Sequence, residues 1–165
     1  MRDLQSFTTV YKMKKIVLVT LLLSLSFGAF AELPVGEYKN WRLLSISHRT
    51  DKQTLRAILG NDAAIESARA GKLNPWAEGS ILAKVKWKES IHKNWAAAIV
   101  PGEFEAAEAM VKDSKKYAST AGWGFGKWQD NNLVMFDEAK SKECFACHMA
   151  AEQKNDYVFT HSALQ

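Results

Sequence analysis

Cys144 and Cys147 are the only cysteines in the chain, and His148 follows the second of them directly. The order C-x-x-C-H is typical of covalent haem c attachment, in which the thiolates add to the haem vinyl groups and the histidine binds the iron as its proximal ligand. The two-residue gap brings the sulfurs about one helical turn apart. Since a tethered haem has to be enclosed by the rest of the chain, this motif constrains the fold strongly. We expect one haem c, held by these three residues.

Three other uses of the cysteine pair compete with haem attachment. A redox C-x-x-C motif usually opens a helix after a strand of a βαβ unit, and no such unit is evident around residues 144–147. A structural zinc site needs about four protein ligands, more than these two thiolates supply. A disulfide across so short a loop would restrict the unfolded chain only slightly. Haem attachment is favoured because the front of the chain carries an export signal.

The first part of the chain resembles a secretory signal peptide. A basic stretch ending at Lys15 precedes an apolar run from Ile16 to Phe30, and the run closes with A-F-A, so cleavage is expected after Ala31. The run is shorter than the ~20 residues that span a bilayer, and we therefore expect removal rather than stable membrane insertion. The segment before Met13 does not fit such a signal, which makes Met13 the expected start and residues 1–31 the signal segment. Export together with haem attachment predicts a periplasmic location.

The segment after the cleavage site, residues 32–165, is expected to form a single haem c domain. It carries 18 Lys and Arg against 17 Asp and Glu, a net charge of +1, so the whole-chain charge of +4 comes mostly from the removed segment. Nothing in this balance favours nucleic acid or an anionic membrane as a partner.

Short periodic stretches predict several strands and few helices. Residues 37–46 fit either a helix leading into a strand or one extended piece, and residues 56–60 fit a short strand. Asn61 is a good helix N-cap before the Ala-rich stretch 63–70, and Gly71 is a typical stop.

Alternation becomes clear after Gly79. Apolar residues at odd positions between 81 and 87 alternate with lysines at 84, 86 and 88, which is the period of a half-buried strand. Residues 92–100 fit another strand or a short helix, closed by a turn at Pro101-Gly102. The stretch 104–112 is ambiguous, because its Ala and Glu content favours a helix while the preceding turn suits a hairpin.

Glycines alternate with aromatic residues in the run G-W-G-F-G at 122–126. Glycines on one face of a strand leave room for a cofactor plane or, more commonly, for a neighbouring strand. A turn is predicted at 130–132, and a helix carrying the haem motif over 137–148. The long amphipathic repeats of helical-bundle cytochromes are not evident. The mature chain is therefore predicted to be mainly β (α+β).

Five segments, spread over nearly the whole mature chain, carry a resemblance to a known family. They are Y-K-N-W-R at 38–42, E-G-S-I-L-A-K at 78–84, V-K-D-S-K-K-Y-A at 111–118, G-W-G-F at 122–125, and C-F-A-C-H followed by D-Y-V-F-T at 156–160. Together they resemble the cytochrome P-460 and cytochrome c′-beta group. The resemblance implies an antiparallel β-sheet with a few short helices, a homodimer, and a haem whose distal side is open to a small diatomic or nitrogenous ligand.

The resemblance also implies roles for individual residues. Members resembling P-460 oxidise hydroxylamine with a haem cross-linked to a lysine, whereas c′-beta members lack the cross-link and bind nitric oxide or carbon monoxide. Lys84 stands at the cross-linking position, although alternation alone would place it on a solvated strand edge. Arg56 aligns with the family's distal-pocket arginine, where the alternative is an ordinary surface charge. Asp137 and Glu138 lie close to the haem motif in sequence, but each is more simply interpreted as a surface carboxylate.

The sixth iron ligand separates three functions. A Met or His in that position suits electron transfer, whereas an open position suits catalysis or gas binding. None of the candidates lies in a pattern typical of a ligand, so we expect an open or water-occupied site. The leading expectation is hydroxylamine oxidation with an acceptor cytochrome as partner; the alternatives are nitric oxide or carbon monoxide binding, and simple electron transfer. The candidates are Met110, Met135, His48, His92 and His161.

Overall fold

Six strands form one antiparallel sheet in the part of the chain that the computed structural model describes, residues 37–151 and 153–164. The strands lie side by side in chain order, each paired with the next. The predicted mainly β, antiparallel fold is confirmed, although two of the strands are long rather than short. The strands are β1 (Arg42–Arg49), β2 (Thr54–Gly60), β3 (Ile81–His92), β4 (Trp95–Lys112), β5 (Trp123–Gln129) and β6 (Asn132–Met135).

Two α-helices accompany the sheet, and each begins at a side chain that caps it. The amide oxygen of Asn61 accepts a hydrogen bond from the backbone N–H of Ala64 at 3.1 Å, and the carboxylate of Asp137 accepts one from Lys140 at 2.8 Å. Both predicted helices are confirmed. They are α1 (Asp62–Arg69) and α2 (Glu138–His148), and short 3-10 helices cover Glu37–Asn40, Ala118–Thr120 and Gln153–Asn155.

Apolar side chains pack on both faces of the sheet at β3. Leu82 belongs to a cluster on one face that also contains Ile65 of α1 and Phe125 of β5. The neighbouring Ala83 and Val85 belong to a second cluster on the other face. The first part of β3 is therefore buried on both of its faces. Since alternate strand residues share a face, Lys84 lies on the same face as Leu82, at the border of the first cluster.

The connection between β3 and β4 lies at residues 93–94, so the predicted turn at Pro101-Gly102 is wrong. Pro101 is instead a strand residue, opposite Glu89, at an irregularity in the pairing of β3 with β4. The other side of β4 pairs with β5 only from Glu108 to Lys112. Pro101 therefore lies where β4 is an edge strand, and an edge tolerates a residue that has no N–H to donate.

The outer half of this hairpin, residues 89–104, extends past the ends of β2 and β5; we call it the β3–β4 arm. Ile91 and Ile99 lie directly opposite one another on it. Four of its large apolar side chains are exposed, which is an unusual concentration for a surface. They are Ile91, Trp95, Ile99 and Phe104.

The glycines of β5 make room for protein atoms. A Cβ on Gly124 would lie 2.3 Å from ring atoms of Tyr117, and one on Gly126 would lie 2.7 Å from the carbonyl oxygen of Val134 in β6. At Gly126 the space is taken by the neighbouring strand β6, one of the two predicted explanations, whereas at Gly124 it is taken by the Tyr117 side chain, which lies outside the strands. Phe125, between the two glycines, points to the opposite face.

The predicted signal segment, residues 1–31, lies outside the described residues. Within the part of the chain that is described, no helix is both long and apolar enough to cross a bilayer.

Candidate functional site

A cavity of about 700 Å³ lies between the sheet and α2. Residues 158–161, which follow α2 in the chain, form one of its sides. Its size falls in the range of cofactor and small-molecule sites, roughly 300–1,000 Å³. Much of the wall is apolar, which would keep bulk water away from a bound group. The apolar wall includes Ile58, Leu82, Met110, Phe125, Phe136 and Val158.

Both cysteines line this cavity from the last turns of α2. Cys144 is half-buried and Cys147 is exposed, and no disulfide joins them. Burial raises the pKa of the Cys144 thiol, so this sulfur is held mainly in its neutral form. Their positions, one turn apart at the edge of a cavity, suit two thioether bonds to one planar group.

His148 ends α2 and also faces the cavity. Its Nδ1 lies 2.9 Å from the carbonyl oxygen of Tyr157, and since a carbonyl only accepts, Nδ1 carries the proton. The Nε2 atom then carries the lone pair that can bind a metal. Phe125 and Phe159 flank the imidazole, with ring centroids 5.2 Å and 5.1 Å away. Burial lowers the pKa of His148, although its hydrogen bond to Tyr157 opposes this, and the neutral ring is the form that binds metals.

Lys84 lines the same cavity from β3, and Glu108 of β4 lies opposite it in the strand register. The ammonium of Lys84 and the carboxylate of Glu108 form an ion pair. Burial by itself would raise the pKa of Glu108, but the hydrogen bond and charge of Lys84 outweigh it, so that the pKa of the carboxyl is lowered. The cavity therefore holds one lysine and one ionised carboxylate in direct contact.

Arg56 of β2 lines the cavity beside these groups. Its Nε is buried and has no hydrogen-bond partner among the described residues. Burial, with a smaller contribution from Arg49, lowers the pKa of Arg56. An unpaired buried donor is costly, and because this Nε is closed off from solvent it is also closed off from the cavity, so a bound group could meet Arg56 only through its other guanidinium N–H groups.

These side chains fit a haem c. The cavity offers two thiols at thioether spacing, an imidazole whose Nε2 is free, and the guanidinium of Arg56. Cys144 and Cys147 would hold the porphyrin and His148 the iron. The Arg56 guanidinium, through its Nη groups, is suited to an anionic group such as a propionate or a bound ligand.

Comparison of the sequence with protein-family models also indicates a haem protein. The family model for cytochrome P460 matches residues 35–160, which is most of the chain. The chain belongs to the cytochrome P460 family. A search of curated proteins gave no significant match. Membership of the P460 family identifies the chain as a haem-binding cytochrome.

The three residues predicted to hold the haem and the two given roles by the family resemblance all face one cavity: Cys144, Cys147, His148, Lys84 and Arg56. Their roles in this P460-family chain stay predictions. Neither Asp137 nor Glu138 lines the cavity; the first caps α2 and the second pairs with Lys142.

Sequence reasoning missed Glu108 as a cavity carboxylate. Its segment, 104–112, could be interpreted as helix or strand, and only the pairing of β3 with β4 places it beside Lys84. Among the candidate sixth ligands, Met110 and His161 line the cavity. His48 instead pairs with Glu89 at 2.5 Å.

Proposed function

We propose that this P460-family chain is a periplasmic mono-haem c cytochrome with an open distal site, and that it oxidises hydroxylamine. The observation that carries the proposal is the Lys84–Glu108 ion pair in the wall of the cavity that holds the C-x-x-C-H residues. A lysine in this place can reach a cofactor in the cavity, and the carboxylate supplies the proton acceptor that the oxidation of an N–H and O–H compound needs.

A haem held by Cys144, Cys147 and His148 would supply the redox chemistry, with an acceptor cytochrome as the destination of the substrate's electrons. The residues of the chain have three tasks around it. His148 would bind the iron through Nε2, with its ring held by the Nδ1 hydrogen bond to Tyr157. Glu108, ionised at neutral pH, would take protons that hydroxylamine releases. Arg56 would donate a hydrogen bond to an anionic group in the cavity.

The apolar wall supports the same chemistry. Ile58, Leu82 and Val158 are buried side chains that face the cavity and cannot hydrogen-bond to water. These buried side chains lower the effective dielectric constant along their part of the wall, while the Lys84 and Glu108 side chains, 37 % and 40 % exposed, stay partly solvated. The wall thus favours a small substrate over bulk solvent.

The experiment that tests the proposal is an optical spectrum of the purified holoprotein and of a Lys84→Ala variant. A haem cross-linked to Lys84 is expected to give a ferrous band strongly shifted to the red of ordinary haem c, retained after denaturation and lost in the variant. The matched control is Lys88→Ala, since Lys88 shares the strand face but pairs with Glu103 outside the cavity, at 2.6 Å. A shifted band that persists in Lys84→Ala would remove Lys84 from the proposal.

A second candidate function is the binding of nitric oxide or carbon monoxide without turnover. It is favoured by the largely apolar wall, which offers few groups for proton transfer apart from Glu108. An unshifted, high-spin haem c spectrum together with no hydroxylamine turnover would support this function. Simple electron transfer would instead need a filled sixth position, for which Met110 and His161 face the cavity, and it predicts a low-spin spectrum.

We further propose a homodimer that uses the β3–β4 arm. Its exposed side chains, among them Trp95 and Phe104, would be covered by the same surface of a second copy. Light scattering of the holoprotein should give twice the chain mass, and Trp95→Lys should shift it toward the monomer. Val134→Lys, an exposed apolar position on β6, is the control that should leave the dimer intact. A wild-type monomer would contradict the proposal.

The periplasmic location is proposed from the sequence of residues 1–31 alone. Expression in a bacterium with a haem c maturation system should release a protein that begins at Glu32 and carries the mass of one haem. Amino-terminal sequencing and intact mass would measure both. A cytoplasmic product that keeps its first residues would overturn this part.

A further inference from the structure

Lys112, at the end of β4, is a buried cation outside the cavity. Its side chain is 3 % exposed, and its ammonium lies 2.6 Å from the carboxylate of Asp156, itself 7 % exposed. The ammonium also donates to the carbonyl oxygen of Ala121 at 3.1 Å and lies 4.9 Å from the centre of the Trp123 ring. A charge so far from water is retained only when it is well paired, and nothing in the proposed chemistry uses it.

Asp156 is held from several sides. The carboxylate oxygen that meets Lys112 also accepts a hydrogen bond from the backbone N–H of Trp76 at 3.1 Å. Its carbonyl oxygen accepts one from the indole N–H of Trp123 at 2.8 Å. Three separate parts of the chain, at the ends of β4 and β5 and in the loop before β3, therefore fix this one residue.

The backbone at this point has an uncommon conformation. Asp156 and Tyr157 are consecutive non-glycine residues with positive φ, 51° and 63°. Such a conformation costs free energy and persists where the surroundings fix it firmly. The contacts of Asp156 are the surroundings that do so here, because they hold its side chain and its carbonyl at the same time.

The next carbonyl along the chain is the one that orients His148. The Tyr157 oxygen accepts the Nδ1 hydrogen bond at 2.9 Å, so its direction depends on the backbone angles that Asp156 and Tyr157 adopt. A metal-binding histidine is commonly oriented and made more basic by such an acceptor. The buried ion pair is thus connected to the imidazole by one residue of constrained backbone.

We propose that Lys112 and Asp156 are positioning residues for His148: the pair holds the 156–157 backbone so that the Tyr157 carbonyl fixes the imidazole. This inference rests on the proposed ligation of the haem iron by His148. Without the pair, the carbonyl would move away from its present direction and the Nδ1 hydrogen bond would weaken. A less basic imidazole donates less charge to the iron, which disfavours the ferric form.

The test uses the holoprotein and two readouts that report on the iron ligand. Lys112→Met/Asp156→Leu removes both charges, and since apolar replacements of a buried pair often keep stability, this double variant is expected to fold. We expect its iron–histidine stretch, measured by resonance Raman spectroscopy of the ferrous form, to move to lower frequency. The midpoint potential should rise. Lys112→Arg keeps the charge and should stay closer to wild type in both.

The control is Glu103→Gln, which breaks the exposed ion pair with Lys88 and should change neither readout. Asp156→Asn removes the counter-charge of the Lys112 ammonium but keeps an acceptor oxygen, so both readouts should change in the same direction and by less than in the double variant. A double variant with bound haem whose stretch and potential equal those of wild type would overturn the positioning role and leave only a structural one. Absence of an iron–histidine signal in the wild-type protein would instead overturn the ligation by His148, so the two failures are distinguishable.

Discussion

Lys84 on β3 and Glu108 on β4 are register partners, and their side chains form an ion pair in the wall of the candidate haem cavity. Two further Lys–Glu ion pairs follow along β3 and β4, Lys86 with Glu105 and Lys88 with Glu103, although these are not register partners. Their positions differ along the strand. The Lys84 pair lines the cavity, while the Lys88 pair is well exposed and lies outside it, so the three pairs form a ladder of charges whose inner end is at the cavity. Only its inner end is available for chemistry.

The first prediction concerns Glu108 as a proton acceptor. Glu108→Gln keeps the shape of the side chain but removes its basicity, and we expect the rate of hydroxylamine oxidation to fall by about 10²–10⁴-fold, the usual size of a general-base contribution. Steady-state assays with an artificial electron acceptor would measure it. Glu103→Gln, the equivalent change at the exposed end of the ladder, should leave the rate within about twofold. Equal rates for all three proteins would exclude Glu108.

A second prediction follows from the lowered pKa of Glu108. An ionised Glu108 adds stability that is fully present above its unfolded pKa, near 4.5, and is lost as the pH falls through the lower folded pKa. Lys84→Gln removes the ammonium and leaves burial, which raises the pKa. The variant should therefore be less stable at neutral pH, by up to about 1 kcal/mol because the pair is partly solvated. The difference should shrink below pH ~4.

Thermal unfolding of both proteins between pH 3 and 7 would check this expectation. Since a covalent cross-link would also consume the charge of Lys84, the comparison should be made on protein whose spectrum has been recorded. A stability difference that grows as the pH falls would have the wrong sign and contradict the interpretation.

A third prediction concerns the contact between Gly124 and Tyr117. A methyl group at Gly124 would overlap the Tyr117 ring, with atoms 2.3 Å apart, so Gly124→Ala should cost about 1–3 kcal/mol of stability, the usual cost of overpacking. In a Tyr117→Ala background the same change should cost much less, because the obstructing ring is gone. Urea unfolding of the four proteins forms a double-mutant cycle. Additive effects would show that the strain lies elsewhere.

Local patterns were enough to predict much of the fold. The alternation after Gly79 identified β3, the amide of Asn61 identified the start of α1, and the C-x-x-C-H motif placed the last helix, because each depends on residues close in sequence. The turn predicted at Pro101-Gly102 was wrong, because a Pro-Gly pair is also compatible with an edge strand. Whether β4 is an edge strand at Pro101 depends on how far β5 pairs along it, which no local pattern predicts.

Some residues of the candidate site could be predicted from the sequence and others could not. Lys84 and Arg56 were found through resemblance to a family, but Glu108 depends on the register between two strands, which no local pattern fixes. The pair of Lys112 and Asp156 is separated by 44 residues, and neither residue lies in a pattern that predicts burial. Long-range pairing of charges is decided by how the elements pack, so it becomes visible only in the folded structure.

The last prediction concerns Asn61, which links α1 to β3. Its amide oxygen accepts hydrogen bonds from the backbone of Ala64, at 3.1 Å, and of Ile81, at 3.0 Å, and its amide nitrogen donates to the carbonyl of Gly79 at 2.8 Å. Asn61→Ala should lose about 2–3 kcal/mol, more than an ordinary N-cap, because it also leaves backbone groups of β3 unpaired. Asn61→Asp keeps the acceptor and loses only the donor, so we expect a smaller loss.

Asp137→Ala is the matched control, because Asp137 caps α2 through a single hydrogen bond to Lys140 and is exposed. Its loss should be about 1 kcal/mol, the value of a simple cap. Urea unfolding followed by circular dichroism would give all three free energies on one scale. If Asn61→Ala lowered the free energy of unfolding by no more than Asp137→Ala, the hydrogen bonds between Asn61 and β3 would contribute nothing measurable. The start of β3, which lines the cavity, would then be held by apolar packing alone.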